Sequence, residues 1–206
     1  MSQIIKKKGR PLSFDRDEAL QKAMILFWRH GYEATSLNDI TTALGIKPSS
    51  VYSAFGDKKN LFLDAIGLYL SGPVTAETII EQAVSAHDAA QELLSTAAVG
   101  FTGTDTPPGC LLASSVMSCS NAANDVKVEL AAIRCGIEAR LRAKILQSID
   151  DGQLPDDTDA EGLAAVTMAV IQGMSALARD GATREKLLNI GNAAMRIWPK
   201  PPTALV

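Results

Sequence analysis

The sequence is poor in the residues that build metal sites and catalytic centres. It contains two histidines and three cysteines among 206 residues, and Cys110, Cys119 and Cys135 form no CxxC pair. The motifs GxSxG, HExxH and GxxxxGK, which mark nucleophile, zinc and phosphate sites, are absent. We therefore expect a protein that is not an enzyme and holds no cofactor or metal. Since the number of cysteines is odd and none are paired by spacing, we expect reduced thiols, as in the cytoplasm.

Strand patterns and export signals are also missing. No stretch alternates apolar and polar residues over a useful length, so the predicted fold class is all-α. No apolar segment follows the N-terminal lysines, so no export is expected. Residues 162–178 carry no charge, but Ala, Gly, Ser and Thr outweigh Leu and Ile there, and acidic residues stand on both sides. A soluble helix buried on two sides is favoured over a membrane helix, and we expect a cytoplasmic protein.

The charge of the chain is unevenly distributed. The net charge of −3 alone argues against a nucleic-acid partner. Residues 1–60, however, hold ten basic and six acidic residues, whereas the remainder holds ten and seventeen. Within the basic part, residues 6–10 read KKKGR. Such an arm can follow a phosphate backbone or enter a minor groove, although a solvated tail has the same composition.

Residues 36–44 predict a short helix that ends in a glycine turn. Leu37, Ile40 and Leu44 recur at helical spacing, and Ser36 precedes them as an N-cap. Gly45 can adopt the left-handed backbone that a tight reversal requires.

Residues 48–55 predict a second short helix with a polar outer side. Pro48 suits the first helical position, and Val51 and Phe55 form the inward face. The outer side carries Ser49, Ser50, Tyr52 and Ser53. A helix pair of this kind places its second helix in the DNA major groove, although an ordinary helical hairpin has the same pattern.

The flanking segments favour the DNA interpretation. Asp15 and Gly31 mark the start and end of a preceding amphipathic helix. Asp57 can cap a following helix, with Lys58 and Lys59 in its first turn. Cations oppose the positive end of a helix, and a bound phosphate would explain both lysines.

Residues 19–62 resemble the TetR family of bacterial transcriptional regulators. The family's typical residues fall on Phe27, Gly31, Tyr32, Thr35, Ser36, Gly45, Ile46, Tyr52, Phe55 and Lys58. Thr41, Lys47 and Ala54 depart from the usual Ala, Ser and aromatic residue. The resemblance implies an N-terminal three-helix helix-turn-helix domain, expected at 1–60, followed by a larger helical domain at 61–206 for effector binding and dimerisation.

Predicted DNA contacts divide into two groups. Phosphate contacts are expected from Thr35, Ser36, Tyr52 and Lys58, with Arg10 in the basic arm. Contacts to base edges are expected from Lys47, Ser49, Ser50 and Ser53. Pro48, which starts the helix, is also expected at the DNA surface. The expected partner is a double-stranded operator, bound by a repressor.

Two further expectations concern the second domain. Its last two helices are nearly free of charge, which predicts a homodimer through them, with a buried internal hairpin as the alternative.

An unknown small-molecule effector is expected in a pocket whose candidate residues are Phe101, Cys110, Leu111, Leu112, Ser114, Met117, Met168 and Met174. Plain core is the alternative for each. Cys110 also follows Gly109, a pair that some TetR-like regulators carry, so a thiol-based sensor of oxidants or electrophiles is a second hypothesis.

Overall fold

The computed structural model describes residues 14–115 and 123–199, which are helical and contain no strand. The basic arm with Arg10, and also Met117 and Cys119, lie outside the described residues. Ten α-helices follow in chain order: α1 Arg16–His30, α2 Leu37–Leu44, α3 Pro48–Phe55, α4 Lys58–Leu70, α5 Ala76–Gln82, α6 Ala86–Gly100, α7 Leu111–Ser114, α8 Asn124–Asp150, α9 Ala160–Arg179 and α10 Arg184–Ala194. A 3-10 turn, Met195–Ile197, follows α10.

Local signals start and end the first helices as predicted. The Asp15 carboxylate accepts hydrogen bonds from the first amides of α1. Ser36 and Asp39 form a reciprocal capping box at α2. Gly45 has φ +66°, the left-handed conformation expected between α2 and α3.

Helices α1–α4 form one unit, which we call the head (residues 14–70). Its core contains the completely buried side chains of Phe27, Ile40, Val51 and Phe62. Residues of α7 and of the start of α8 also pack into this core: Leu111, Leu112, Val126 and Leu130. The expected division at residue 60 falls inside α4, whose Leu61, Phe62, Ala65 and Ile66 pack into this core. The head therefore includes all of α4.

The remaining helices, α5–α10, form the body. Their apolar residues build a second core among α5, α6, α8, α9 and α10. Helix α9 is long and apolar enough to cross a membrane, a property that core helices of soluble proteins share. In this structure α9 packs on α6, α8 and α10 with one side. Its other side, which we call the outer face of α9, is exposed and consists of Val166, Ala169, Gly173 and Ala176.

Candidate DNA interface and effector cavity

The polar side of α3 is open to solvent. Two buried anchors, Val51 and Phe55, fix the helix to the head. Tyr52 is 51% exposed, Lys47, Pro48, Ser49 and Ser53 are also exposed, and Ser50 is half-buried. No acidic residue stands between Asp39 and Asp57 in the sequence. Helix α3 and the turn before it therefore offer hydroxyl groups and one ammonium, and carry no carboxylate of their own that would repel phosphates.

Thr35 does not belong to this surface. It is 1% exposed, and its hydroxyl donates a hydrogen bond to the Gly31 carbonyl at 2.7 Å. The predicted phosphate contact of its side chain is therefore wrong, because the hydroxyl closes the turn between α1 and α2. Only tertiary packing reveals this, since a Thr side chain in a turn can be either buried or exposed.

Ser36 is exposed, but its donors are already engaged. Its hydroxyl donates to the Asp39 carboxylate at 2.6 Å, and its backbone N–H donates to the same oxygen at 2.8 Å. These bonds lower the pKa of Asp39 below its ordinary value. A phosphate at Ser36 would have to replace one of them.

The two lysines that open α4 have different environments. The Lys58 ammonium lies 4.6 Å from the centroid of the Tyr32 ring and donates to the Glu33 carbonyl at 3.4 Å. Lys59 instead forms an ion pair with Asp125 of α8, 2.6 Å apart. The pairing hydrogen bond raises the pKa of Lys59 and lowers that of Asp125. The inference that Lys59 needs a phosphate is therefore corrected: the ion pair with the body accounts for its position.

A cavity of about 580 Å³ lies where the head meets the body. Its walls are mostly apolar and come from seven of the ten helices and the segments between them. The lining residues are Trp28, Tyr69, Leu70, Pro73, Val74, Thr75, Ala76, Ile79, Leu93, Thr96, Ala97, Gly100, Phe101, Thr106, Cys110, Leu112, Ala113, Arg134, Ile137, Met168, Ile171 and Gln172. A volume in this range suits a small organic ligand.

Cys110 stands in the cavity wall at the start of α7. It is half-buried, its backbone N–H donates to the Ser175 hydroxyl at 2.7 Å, and its sulfur accepts a hydrogen bond from the Tyr69 hydroxyl at 3.5 Å. Burial, with Cys110 as a further cause, raises the pKa of Tyr69 well above its ordinary range. Tyr69 therefore stays protonated and remains a donor to the sulfur.

Several contacts fasten the head to the body beside this cavity. The Trp28 indole N–H donates to the Gly109 carbonyl at 3.1 Å. Arg179, the last residue of α9, donates to the carbonyls of Trp28 and Arg29 at 3.1 and 3.2 Å. A cation at these carbonyls complements the negative end of α1. These residues hold the C-terminal end of α1, and the contacts of Lys59 with Asp125 and of Tyr69 with Cys110 hold α4.

Comparison with known proteins places this architecture. The family model described as bacterial regulatory proteins, tetR family, matches residues 19–65, and the one described as tetracyclin repressor-like, C-terminal domain, matches residues 88–187. The HTH-type transcriptional repressor ComR of Escherichia coli (strain K12) is 37% identical over 203 residues, covering 97% of this chain and 96% of ComR. The chain belongs to the TetR family. It is a DNA-binding transcriptional regulator with the all-α fold that the sequence predicted.

Another TetR-family structure is similar over nearly the whole length. A cysteine mutant of the regulator CifR, complexed with 26bp double-strand operator DNA, superposes with a TM-score of 0.87 at 38% identity, covering 93% of this chain and 100% of CifR. The repressor BdcR of Escherichia coli (strain K12) is 30% identical over 122 residues, 59% of this chain and 62% of BdcR.

The predicted pocket residues of this TetR-family chain divide in two. Phe101, Cys110, Leu112 and Met168 line the cavity. Three others do not, which corrects the prediction. Leu111 and Met174 are completely buried in the two cores, and the Ser114 hydroxyl donates to the Cys110 carbonyl within α7.

The sequence analysis missed Arg134, the one charged side chain among the described lining residues. A signal for it exists in the sequence. Arg134 lies four residues after Leu130 and three before Ile137, on the stripe of α8 that continues to Leu141 and Ile145. A charge on an otherwise inward stripe indicates either a solvent-filled site or a polar partner.

Proposed function

We propose that two copies of this chain form a cytoplasmic repressor without catalytic activity, which binds a palindromic operator and leaves it when a small molecule fills the cavity. The observation that carries this proposal is the position of the cavity. Trp28 of α1 and Tyr69 of α4 belong to the head, yet both line the cavity together with body residues. A ligand there touches the element that must hold the DNA-binding helix in place.

The division of labour in the chain follows from the two cores. The head, residues 14–70 with the preceding basic arm, binds DNA, and the body binds the effector and the second copy. Helix α3 enters the major groove, where Lys47, Ser49, Ser50 and Ser53 face base edges. Tyr52, Lys58, Ser36 and Arg10 contact phosphates. The 26bp operator complexed with CifR supports a duplex of similar length for this chain.

Subunit pairing uses the outer face of α9 together with α10. Val166 is 42% exposed and Ile197, after α10, is 54% exposed. Between them the outer face offers the small side chains of Ala169, Gly173 and Ala176, so a second helix can approach closely. A Cβ atom added at Gly173 would meet no atom of its own subunit within 4 Å. This apolar surface is what a two-fold copy would cover.

Release requires that the ligand prefer one arrangement of the head over another. The contacts of Arg179 and Trp28 at the end of α1, and the contact of Tyr69 with Cys110, are the bonds that differ when the cavity wall moves. A head turned away from its operator-bound position no longer matches the half-site spacing.

A footprint on genomic fragments selected by the purified protein tests this function. We expect a palindrome whose half-site centres lie about 34 Å apart, or somewhat further if two dimers share the site. Sedimentation of the free protein at micromolar concentration should show a dimer. A monomer, or protection without sequence preference, contradicts the proposal.

A second candidate, a thiol-based sensor, is favoured by the position of Cys110 in the cavity wall. Brief alkylation of the native protein followed by peptide mapping separates the two. As a wall residue Cys110 reacts more slowly than Cys135, which is exposed. If Cys110 is labelled first and its modification abolishes operator binding, the regulator senses electrophiles or oxidants instead.

A further inference from the structure

We propose that the effector of this cavity is an apolar molecule with a single anionic group, such as a carboxylate, and that Arg134 binds that group. The inference rests on the proposed function, since it names the chemical class of the ligand that the cavity takes. It comes from the charges, the free donors and the walls of the cavity.

The charge of the cavity is positive. All 23 acidic side chains of the chain fall within the described residues, and none of them lines the cavity. Arg134 is the one formal charge among the described lining residues. The ion pairs between described side chains involve Arg16, Lys22, Lys59, Arg140 and Arg142, but not Arg134.

Arg134 is held in place with donors to spare. One terminal nitrogen, Nη1, donates to the Leu112 carbonyl at 2.9 Å. A guanidinium has five N–H donors, so this single bond anchors the side chain and leaves the others for a ligand. Its planar fork matches the two oxygens of a carboxylate. A half-buried cation without a counter-ion is partly desolvated, and an anion in the cavity would restore the lost interaction.

The rest of the cavity selects the rest of the ligand. Trp28 and Phe101 offer aromatic surfaces, and Ile79, Leu93 and Ile171 offer aliphatic ones. An alkyl or aryl body would bury its surface against these walls, while the anionic end meets Arg134. A dication would find no carboxylate among the described lining residues.

A matched pair of dyes tests the preference for an anion. Anilinonaphthalene sulfonate and its uncharged parent, phenylnaphthylamine, differ only by the sulfonate, and both fluoresce in apolar sites. We expect the full-length dimer to bind the sulfonate about 10- to 100-fold more tightly than the parent, the range for hydrogen bonds to a charged group. Decanoate should displace the sulfonate more effectively than decanol.

Variants locate the effect. Arg134→Met should remove the preference for the sulfonate, and Arg134→Lys should keep part of it. The matched control is Arg140→Met on the same helix, which should leave the preference intact because Arg140 pairs with Glu77 and Glu81 outside the cavity. Thr96→Phe, which fills the cavity from its wall, should weaken the binding of both dyes.

Equal affinity of the two dyes for the wild-type protein, or an unchanged preference in Arg134→Met, overturns the inference. Operator binding of the same proteins is measured without dye, which keeps the two proposals separate. A protein that binds its operator but does not distinguish the dyes keeps the proposed function and loses this inference. A protein that prefers the sulfonate but binds no DNA keeps this inference about the cavity and loses the proposed function.

Discussion

Two lysines of the head, Lys47 and Lys58, differ in their positions and surroundings. Lys47 precedes α3, and its side chain makes no capping hydrogen bond with that helix. Lys58 opens α4 beside Tyr32 and Glu33, at the edge of the head. Under the proposed function Lys47 faces base edges and Lys58 faces the phosphate backbone, so the two residues should affect DNA binding in different ways.

Lys58→Ala should weaken binding to all sequences and lower the slope of log affinity against log salt by about one unit, because one phosphate contact is lost. Lys47→Ala should instead change which operator variants bind best, by roughly 1–3 kcal/mol at the affected position. Titrations of operator variants at several salt concentrations measure both effects. Equal losses on every sequence for both variants would contradict the assignment.

Residue roles were predictable where the chain itself decides them. Asp15, Ser36 and Gly45 act through neighbours within four residues, so their caps could be read from the sequence. The inward position of Thr35 and the cavity position of Arg134 depend on contacts made after folding. Leu111 and Met174 illustrate the same limit, because an apolar side chain gives no signal that separates a core from a cavity wall.

At the scale of elements, the capping box of α2 makes the stability of the head depend on pH. Asp39 accepts hydrogen bonds from Ser36, and its folded pKa lies below its ordinary value of 3.8. A carboxyl with a lowered folded pKa stabilises the protein above its unfolded pKa, and the stabilisation is lost as the pH falls through the folded value. The stabilisation by Asp39 is therefore lost at pH values below 3.8.

Asp39→Asn should lower the free energy of unfolding near neutral pH, since the neutral amide accepts these bonds less strongly. The difference from the wild type should narrow as the pH falls below 3.8. Urea unfolding at a series of pH values, followed by circular dichroism, measures it. A difference that stays constant down to the acid limit would assign the loss to packing instead of charge.

Helix α9 has one glycine on its outer face that can separate pairing from folding. Gly173→Glu should convert the proposed dimer to a monomer, because the subunit itself has room for the side chain but a second copy on this face would bury the charge. Gly136→Glu on α8 is the matched control, also an exposed helical glycine with no atom within 4 Å of an added Cβ. Sedimentation should show a monomer for the first variant and a dimer for the second. A dimer in both would move the interface away from this face.

At the scale of the whole molecule, an effector that acts through the cavity as proposed must affect operator binding, and the operator must in turn affect effector binding. Allosteric coupling is typically about 1–3 kcal/mol, so an effector should weaken operator binding by roughly 5- to 150-fold. The operator should then weaken effector binding by the same factor. Titrating a cavity ligand with and without saturating operator measures this. A ligand whose affinity ignores the operator occupies the cavity without acting as an effector.

In the proposed dimer, the contact of Arg179 with α1 would link subunit pairing to the placement of the head. Arg179 ends the helix whose outer face we assign to the second copy, and its guanidinium holds the last carbonyls of α1. A substitution that shifts where two α9 helices cross would therefore also change the distance between the two heads. After a gene duplication, drift on this one helix would create a regulator that no longer exchanges subunits with its parent and no longer competes for its operators. Changes on one helix surface would thus separate the two duplicated proteins both in subunit pairing and in operator choice.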